Sequence, residues 1–301
     1  MAAVGIIPNL IIGLREGIEA ALIIGIILGY LVKIERGSLK RYVYFGTAGA
    51  MGVSAGVAAV LVLMTIEFEG FGEQVFEGVA MLVAVAVLTS MVLWMMKASR
   101  SIKVHVQQRI DAALRGQQAF GLVLLSFIVI LREGVETALF VFGAGRLTSP
   151  FEAIIGVALG LLVAGIIGVG LIRVSWRINL KRFFQVTSVF LVIIAAGLFA
   201  HAVHELQEAF HWSLGSATLY NLTNSFPDDA SNVAGYLLRG IVGYSAAPTL
   251  LESSAYVAYW IVVGLVYLGI RSGKITAVSE PLRRAWRTLF GRKTQPQADL
   301  E

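Results

Sequence analysis

Ionised side chains recur at two matched places inside very apolar stretches of the chain, as Arg15-Glu16-Gly17-Ile18-Glu19 and Arg132-Glu133-Gly134-Val135-Glu136. Each such charge costs about 3 kcal/mol or more at the centre of a bilayer, so six of them call for a purpose. Glu16 and Glu19 are three apart, as are Glu133 and Glu136, which puts each pair on one helix face, able to converge on one object. Arg15 and Glu19 are four apart, as are Arg132 and Glu136, the spacing of an ion pair within a helix. Four carboxylates and two guanidinium groups leave about two negative charges, which suits a multivalent cation. Carboxylate oxygens are hard ligands and select a hard divalent or trivalent metal over a soft one. The glycine in each motif admits close backbone approach and can loosen the helix to expose carbonyl oxygens. Such ion pairs can also serve only to lock helices in register. Duplication and a spare carboxylate in each copy favour the ion, with Arg15 and Arg132 as supporting ion pairs.

Further metal-ligating types cluster elsewhere. His201, His204, Glu205, Glu208 and His211 fall at spacings of three or four, a row that could relay a metal from the external surface. Glu67, Glu69, Glu73 and Glu77 surround a turn with no Lys or Arg, and such an acidic mouth concentrates cations. Glu73 and Glu77, a turn apart at a helix entrance, are the better ligand candidates. Met91, Met95 and Met96 read as core, since a thioether is a poor partner for a hard ion.

These residues must be positioned by membrane helices. The chain is 57% hydrophobic and 14% charged, with a mean hydropathy of +0.79, outside the range of soluble domains. The expected fold is all-α and polytopic, with seven transmembrane helices near residues 5–32, 42–66, 74–96, 119–145, 151–172, 183–205 and 247–270. The first lacks the basic start and unbroken apolar core of a signal peptide and reads as a mature helix. The absence of cysteine excludes disulfides and thiolate metal centres. Of the 24 basic residues, 20 fall after the first, third, fifth and seventh segments, while the alternate loops hold only Arg146 and Arg239. That places the N-terminus outside and the C-terminus in the cytoplasm, and it explains the net charge of +5 without nucleic acid.

Positions 13–22 and 130–139 agree at seven of ten places, and each copy leads into a glycine-bearing second helix and then a third. Three helices are an odd number, so the second copy enters the membrane from the opposite side. The result is an inverted 3+3 repeat, about 5–96 and 119–205, with one extra C-terminal helix and a candidate site at the midplane. Residues 1–271 are expected to form the seven-helix transmembrane domain and 272–301 a basic cytoplasmic tail. Ala48, Gly52 and Gly56 in the second helix, and Gly156, Gly160, Ala164 and Gly168 in the fifth, mark expected packing faces. In residues 97–117, Ile102, Val106, Ile110 and Leu114 define an amphipathic helix expected on the inner lipid surface. Residues 206–246 read as a structured loop with turns.

At these positions the chain resembles the high-affinity iron permeases, which comprise fungal oxidase-coupled ferric permeases and bacterial EfeU proteins. The resemblance rests on both REGxE copies, on His201-Ala202-Val203-His204-Glu205-Leu206-Gln207-Glu208, and on Gly243-Tyr244 with Pro248. It implies a transporter, not an enzyme, importing ferric or ferrous ion with the REGxE glutamates as ligands. Iron is the cargo and no cofactor is implied. The expected location is a bacterial inner (plasma) membrane. Fungal members carry an external Asp-Ala-Ser-Glu element that receives iron from an oxidase. Here Asp229-Ala230-Ser231-Asn232, preceded by Asp228, lacks the last carboxylate, which weakens the expectation of an oxidase partner. Bacterial relatives imply a peroxidase or iron-binding protein instead. Carriers of manganese or lead, a membrane redox protein with a resident metal centre and a proton-coupled solute exporter are the alternatives.

Overall fold

A computed structural model describes residues 6–67, 70–98, 102–115, 118–173 and 180–272. Among them the architecture is helical: α1 (Ile6–Lys33), α2 (Lys40–Glu67), α3 (Phe71–Ala98), α4 (Ile102–Arg115), α5 (Gln118–Leu147), α6 (Pro150–Arg173), α7 (Leu180–Ala209), α8 (Val233–Val242) and α9 (Leu250–Arg271). Among the described residues five stretches are long and apolar enough to cross a membrane: Gly37–Leu61, Phe71–Leu93, Pro150–Gly170, Arg182–Ala209 and Leu250–Ile270. Helices α1 and α5 match them in length, at 28 and 30 residues, but carry the charged motifs. Glu69 and the basic tail after Lys274 lie outside the described residues.

Local chemistry explains where the helices begin. Ser149 precedes α6, accepts the Glu152 amide on Oγ at 3.3 Å and is followed by Pro150, whose missing N–H costs nothing in a first turn. Thr249 and Glu252 form a reciprocal capping box at α9. The Glu252 amide donates to Thr249 Oγ1 at 3.1 Å, and the Thr249 amide donates to Glu252 Oε2 at 3.4 Å. Asn232 caps α8, and Gly243 ends it in the left-handed region, φ 74°, with its backbone against Gly197 of α7. The stretch read as a structured loop with turns therefore also holds a helix.

The chain divides into two compact units, Met1–Val257 and Ala258–Glu301, with the boundary inside α9. In the second, Ile261, Val262, Leu265 and Leu268 are exposed, the surface of a helix whose solvent is lipid.

In the first unit, α1 packs chiefly on α6, α2 on α5, and α3 on α7. Residues of matching order meet in the first two pairs, so those helices run parallel. Gly13 lies against Val157, Gly17 against Ala164 and Gly168 against Ala21; Gly46 meets Val123 and Gly134 meets Ser54. Helices α3 and α7 run antiparallel, with the rings of Phe71 and Phe210 5.4 Å apart and Gly78 against Leu206. The small residues of α6 pack as expected. Those expected in α2 do not: Ala48, Gly52 and Gly56 are exposed, and the packed face is Val43, Gly46, Ala50 and Ser54. A helix this rich in small residues offers more than one stripe of period four, and only the partner selects among them.

Helix α4 also departs from expectation. Ile110 is fully buried in a cluster with Ile27, Leu31, Val43 and Leu122, with Leu114 packed against it. Tyr30 donates to Asp111 Oδ1 at 2.6 Å. These apolar positions thus face the bundle rather than lipid, while the side chains of Ile102 and Val106 lie outside the described residues.

Gly160 provides a test of the packing. A Cβ there would sit 2.5 Å from the Leu14 amide nitrogen, whereas one at Gly52 meets nothing within 4 Å. Gly160→Ala should lower stability by about 1–3 kcal/mol, and Gly52→Ala should cost nothing, by thermal unfolding in detergent.

Candidate metal site

The REGxE side chains assemble because α1 and α5 cross at their motifs while each lies against a helix of small residues. A Cβ at Gly17 would overlap Ala164 on α6, and one at Gly134 would overlap the Ser54 hydroxyl on α2. Both helices pass through the motif without a break, so these glycines serve close approach and do not loosen the helix. The backbone carbonyls there remain committed to helical hydrogen bonds.

The structure brings Glu16, Glu19 and Glu133 together, each with a ligand atom within 4.8 Å of the other two, and all three are buried. Arg15 is fully buried beside them. Its Nη1 lies 3.0 Å from Glu16 Oε1 and its Nη2 lies 3.2 Å from Glu19 Oε1. Nη1 also donates to Met91 Sδ at 3.0 Å. Met91 is buried as expected and in addition meets Arg15, a contact that no spacing rule shows because it joins residues 76 apart. Glu136 is outside the triplet: its Oε1 accepts from Arg132 Nε at 2.8 Å, and its buried Oε2 has no hydrogen-bond partner among the described residues. The arginines are unequal. Arg132 leaves 47% of its side chain exposed, against 0% for Arg15.

This arrangement can hold one cation by its carboxylate oxygens, because three carboxylates beside one buried guanidinium leave negative charge unbalanced.

The second cluster divides. His201 Nε2 lies 3.5 Å from Glu205 Oε1, and His204 Nε2 lies 3.4 Å from Glu208 Oε1. The two imidazoles are stacked 6.1 Å apart. His211 does not join them, because α7 ends at Ala209 and His211 turns away in the left-handed region, φ 50°. A cavity of about 180 Å³ is lined by His201, His204, Asp228, Arg239, Tyr244 and Glu252 among others. Glu205 and Glu208 do not line it. Glu252 went unnoticed in the sequence, where its Thr-x-x-Glu context reads as a helix cap.

On α3, Glu77 is buried and Glu73 half-buried, and the neighbouring Gln74 donates to Glu208 Oε2 at 3.4 Å. Asp228 Oδ2 lies 3.5 Å from Arg239 Nη1 inside the cavity. Asp229 faces its own turn and accepts the Ser231 amide at 2.8 Å; hydrogen bonds from Ser231 hold its carboxyl below the usual range. Asn232, where the fungal element has its last carboxylate, is spent on capping α8. Tyr236 ties α8 to α6 by donating to the buried Glu152 at 2.6 Å, and burial with that bond pushes its phenol up to about 12.

Apolar spanning helices make the chain an integral membrane protein, and the proteins it matches make it a transporter rather than an enzyme. It belongs to the iron permease FTR1 family, whose profile it matches over residues 6–279, and is thereby an iron permease. It is 36% identical over 258 residues to the ferrous iron permease EfeU of Yersinia pestis, covering 85% of this chain and 90% of the relative. It is 34% identical over 257 residues to the protein of that name from Escherichia coli O6:H1, covering 85% and 92%. No solved structure matches the chain at a significant level.

The inequality of the arginines is measurable. Arg15→Gln strands Glu16 and Glu19 in a buried site and should cost about 3–5 kcal/mol. Arg132→Gln removes a half-exposed, partly screened partner but leaves Glu133 and Glu136 buried, and should cost less, about 1–3 kcal/mol. Thermal unfolding of the detergent-solubilised variants reads the difference.

Proposed function

We propose that the chain imports ferrous ion across a bacterial plasma membrane, the ion crossing the midplane on Glu16, Glu19 and Glu133 with Glu136 at its side. The buried carboxylate triplet carries this reading. Ferrous rather than ferric ion is favoured by charge: two positive charges neutralise a site left with about two negative ones, whereas three overshoot it. The relatives from Yersinia pestis and Escherichia coli bear the name ferrous iron permease, which agrees.

Seven spans in an inverted 3+3 repeat are part of the proposal. If the chain crosses the membrane with each of α1, α2, α3, α5, α6, α7 and α9, then α1 and α6 point the same way, as do α2 and α5, while α3 and α7 oppose. The register of their contacts agrees with all three directions. A twofold axis exchanging the halves turns the α1 and α6 pair into the α5 and α2 pair, which supports opposed repeats. The distribution of basic residues supports an N-terminus outside and C-terminal residues 272–301 in the cytoplasm. The cavity at the outer end of α7 then faces the incoming ion, with Glu73 and Glu77 nearby. No oxidase is invoked, since Asn232 stands where that handover would need a carboxylate.

Charge-neutral replacements test the triplet. Glu19→Gln and Glu133→Gln should each reduce isotopic ferrous uptake into proteoliposomes by more than about tenfold at unchanged protein level. Undiminished uptake would overturn the reading, and equal competition by manganese would make the carrier a general one.

A further inference from the structure

We infer that the outer cavity is a loading site for the incoming cation, with Glu252 and His204 as its ligands and Arg239 as a tethered cation that the ion must displace. The loading role rests on the import reading; the site itself rests on geometry.

Glu252 is 5% exposed, yet it lines a cavity of about 180 Å³, room for a cation with on the order of five waters. Its Oε2 lies 3.8 Å from His204 Nδ1. That nitrogen is buried and has no hydrogen-bond partner among the described residues. Two ligand atoms each about 2.1 Å from one divalent ion can stand up to about 4.2 Å apart, so the gap admits an ion between them. Asp228 and His201 also line the cavity, as a second carboxylate and a second imidazole.

The known duty of Glu252 does not explain its charge. In the capping box a glutamine serves as well as a glutamate, so the cap asks only for an acceptor. A buried carboxylate where an amide would suffice, aimed at an idle imidazole nitrogen, is the signature of a cation ligand.

Arg239 explains how the cavity tolerates its carboxylates without an ion. Its Nη1 stands 3.5 Å from Asp228 Oδ2 and lines the same space. With Asp228 and Glu252 it leaves a net charge of about one negative unit, enough to attract a cation but less than the pocket would carry without it. Arg239 and Glu252 therefore act on affinity with opposite sign.

Two measurements test this. Equilibrium binding of ferrous ion to the full chain in detergent, with Glu16, Glu19 and Glu133 all replaced by Gln, reads the outer site without transport. One bound ion per chain should remain and weaken about tenfold or more on adding Glu252→Gln. Unchanged affinity, or no residual ion, overturns the site. In proteoliposomes with the midplane glutamates intact, Glu252→Gln should raise the half-saturating iron concentration about tenfold, with maximal rate within twofold, and Arg239→Gln should lower it. A rise with both substitutions would mean a structural role and overturns the assignment. If Glu252→Gln protein is not recovered, His204→Gln should show the same loss in both assays. Residual binding to the triple variant, together with no flux through the chain whose midplane glutamates are intact, sinks the import reading and keeps the site.

Discussion

Everything in the membrane part is arranged around one electrostatic difficulty: three carboxylates held within 4.8 Å of one another away from water. Arg15 is the main answer. A guanidinium offers its donors in a fixed fork, so it can face Glu16 and Glu19 at once while Met91 receives part of it from another helix. A lysine would present one point charge and could not span the pair. The third carboxylate, Glu133, comes from the other half of the chain, with Arg132 at 3.8 Å and partly in the open. Neutralisation is therefore lopsided, firm on the α1 side and loose on the α5 side.

Close helix approach is what turns that chemistry into a site. Gly17 and Gly134 lie inside the charged motifs, and each lets a neighbouring helix come nearer than a side chain would allow. The partners are exchanged, since the motif helix of each half packs on the second helix of the other. Pulling the halves apart would break both of these close-packed pairs, so the carboxylates are held by packing that does not depend on any ligand.

The motifs and the helices that bear them were legible because burying charge is costly and hydropathy over twenty residues is a strong signal. Boundaries agree to within a few residues, and the largest departures have local causes: α7 continues to Ala209, and α9 waits for the cap at Thr249. Tertiary choices were not legible. Met91 was legible as core, but its contact with Arg15 was not, because the two are 76 residues apart. The packed face of α2 was misassigned because period alone cannot separate Gly46, Ala50 and Ser54 from Ala48, Gly52 and Gly56. His211 kept the spacing of its cluster in the sequence, but spacing has no meaning past a helix end. Helix α8 had its signals in Asn232 and Gly243, which a reading of the segment as turns passed over.

The two ends of the bundle differ as media. At the end where α7 finishes, imidazoles, carboxylates and a guanidinium line an open cavity. At the end where α1 finishes, Ile27, Leu31, Val43, Ile110 and Leu122 form a buried apolar cluster, to which α4 contributes Ile110. An ion's self-energy climbs steeply in such a medium, by several kcal/mol even after the surroundings relax. That cluster is an unfavourable medium for a cation, unlike the polar cavity at the other end. Since Ile110 belongs to α4, admitting water to that end would mean shifting α4 and parting Tyr30 from Asp111.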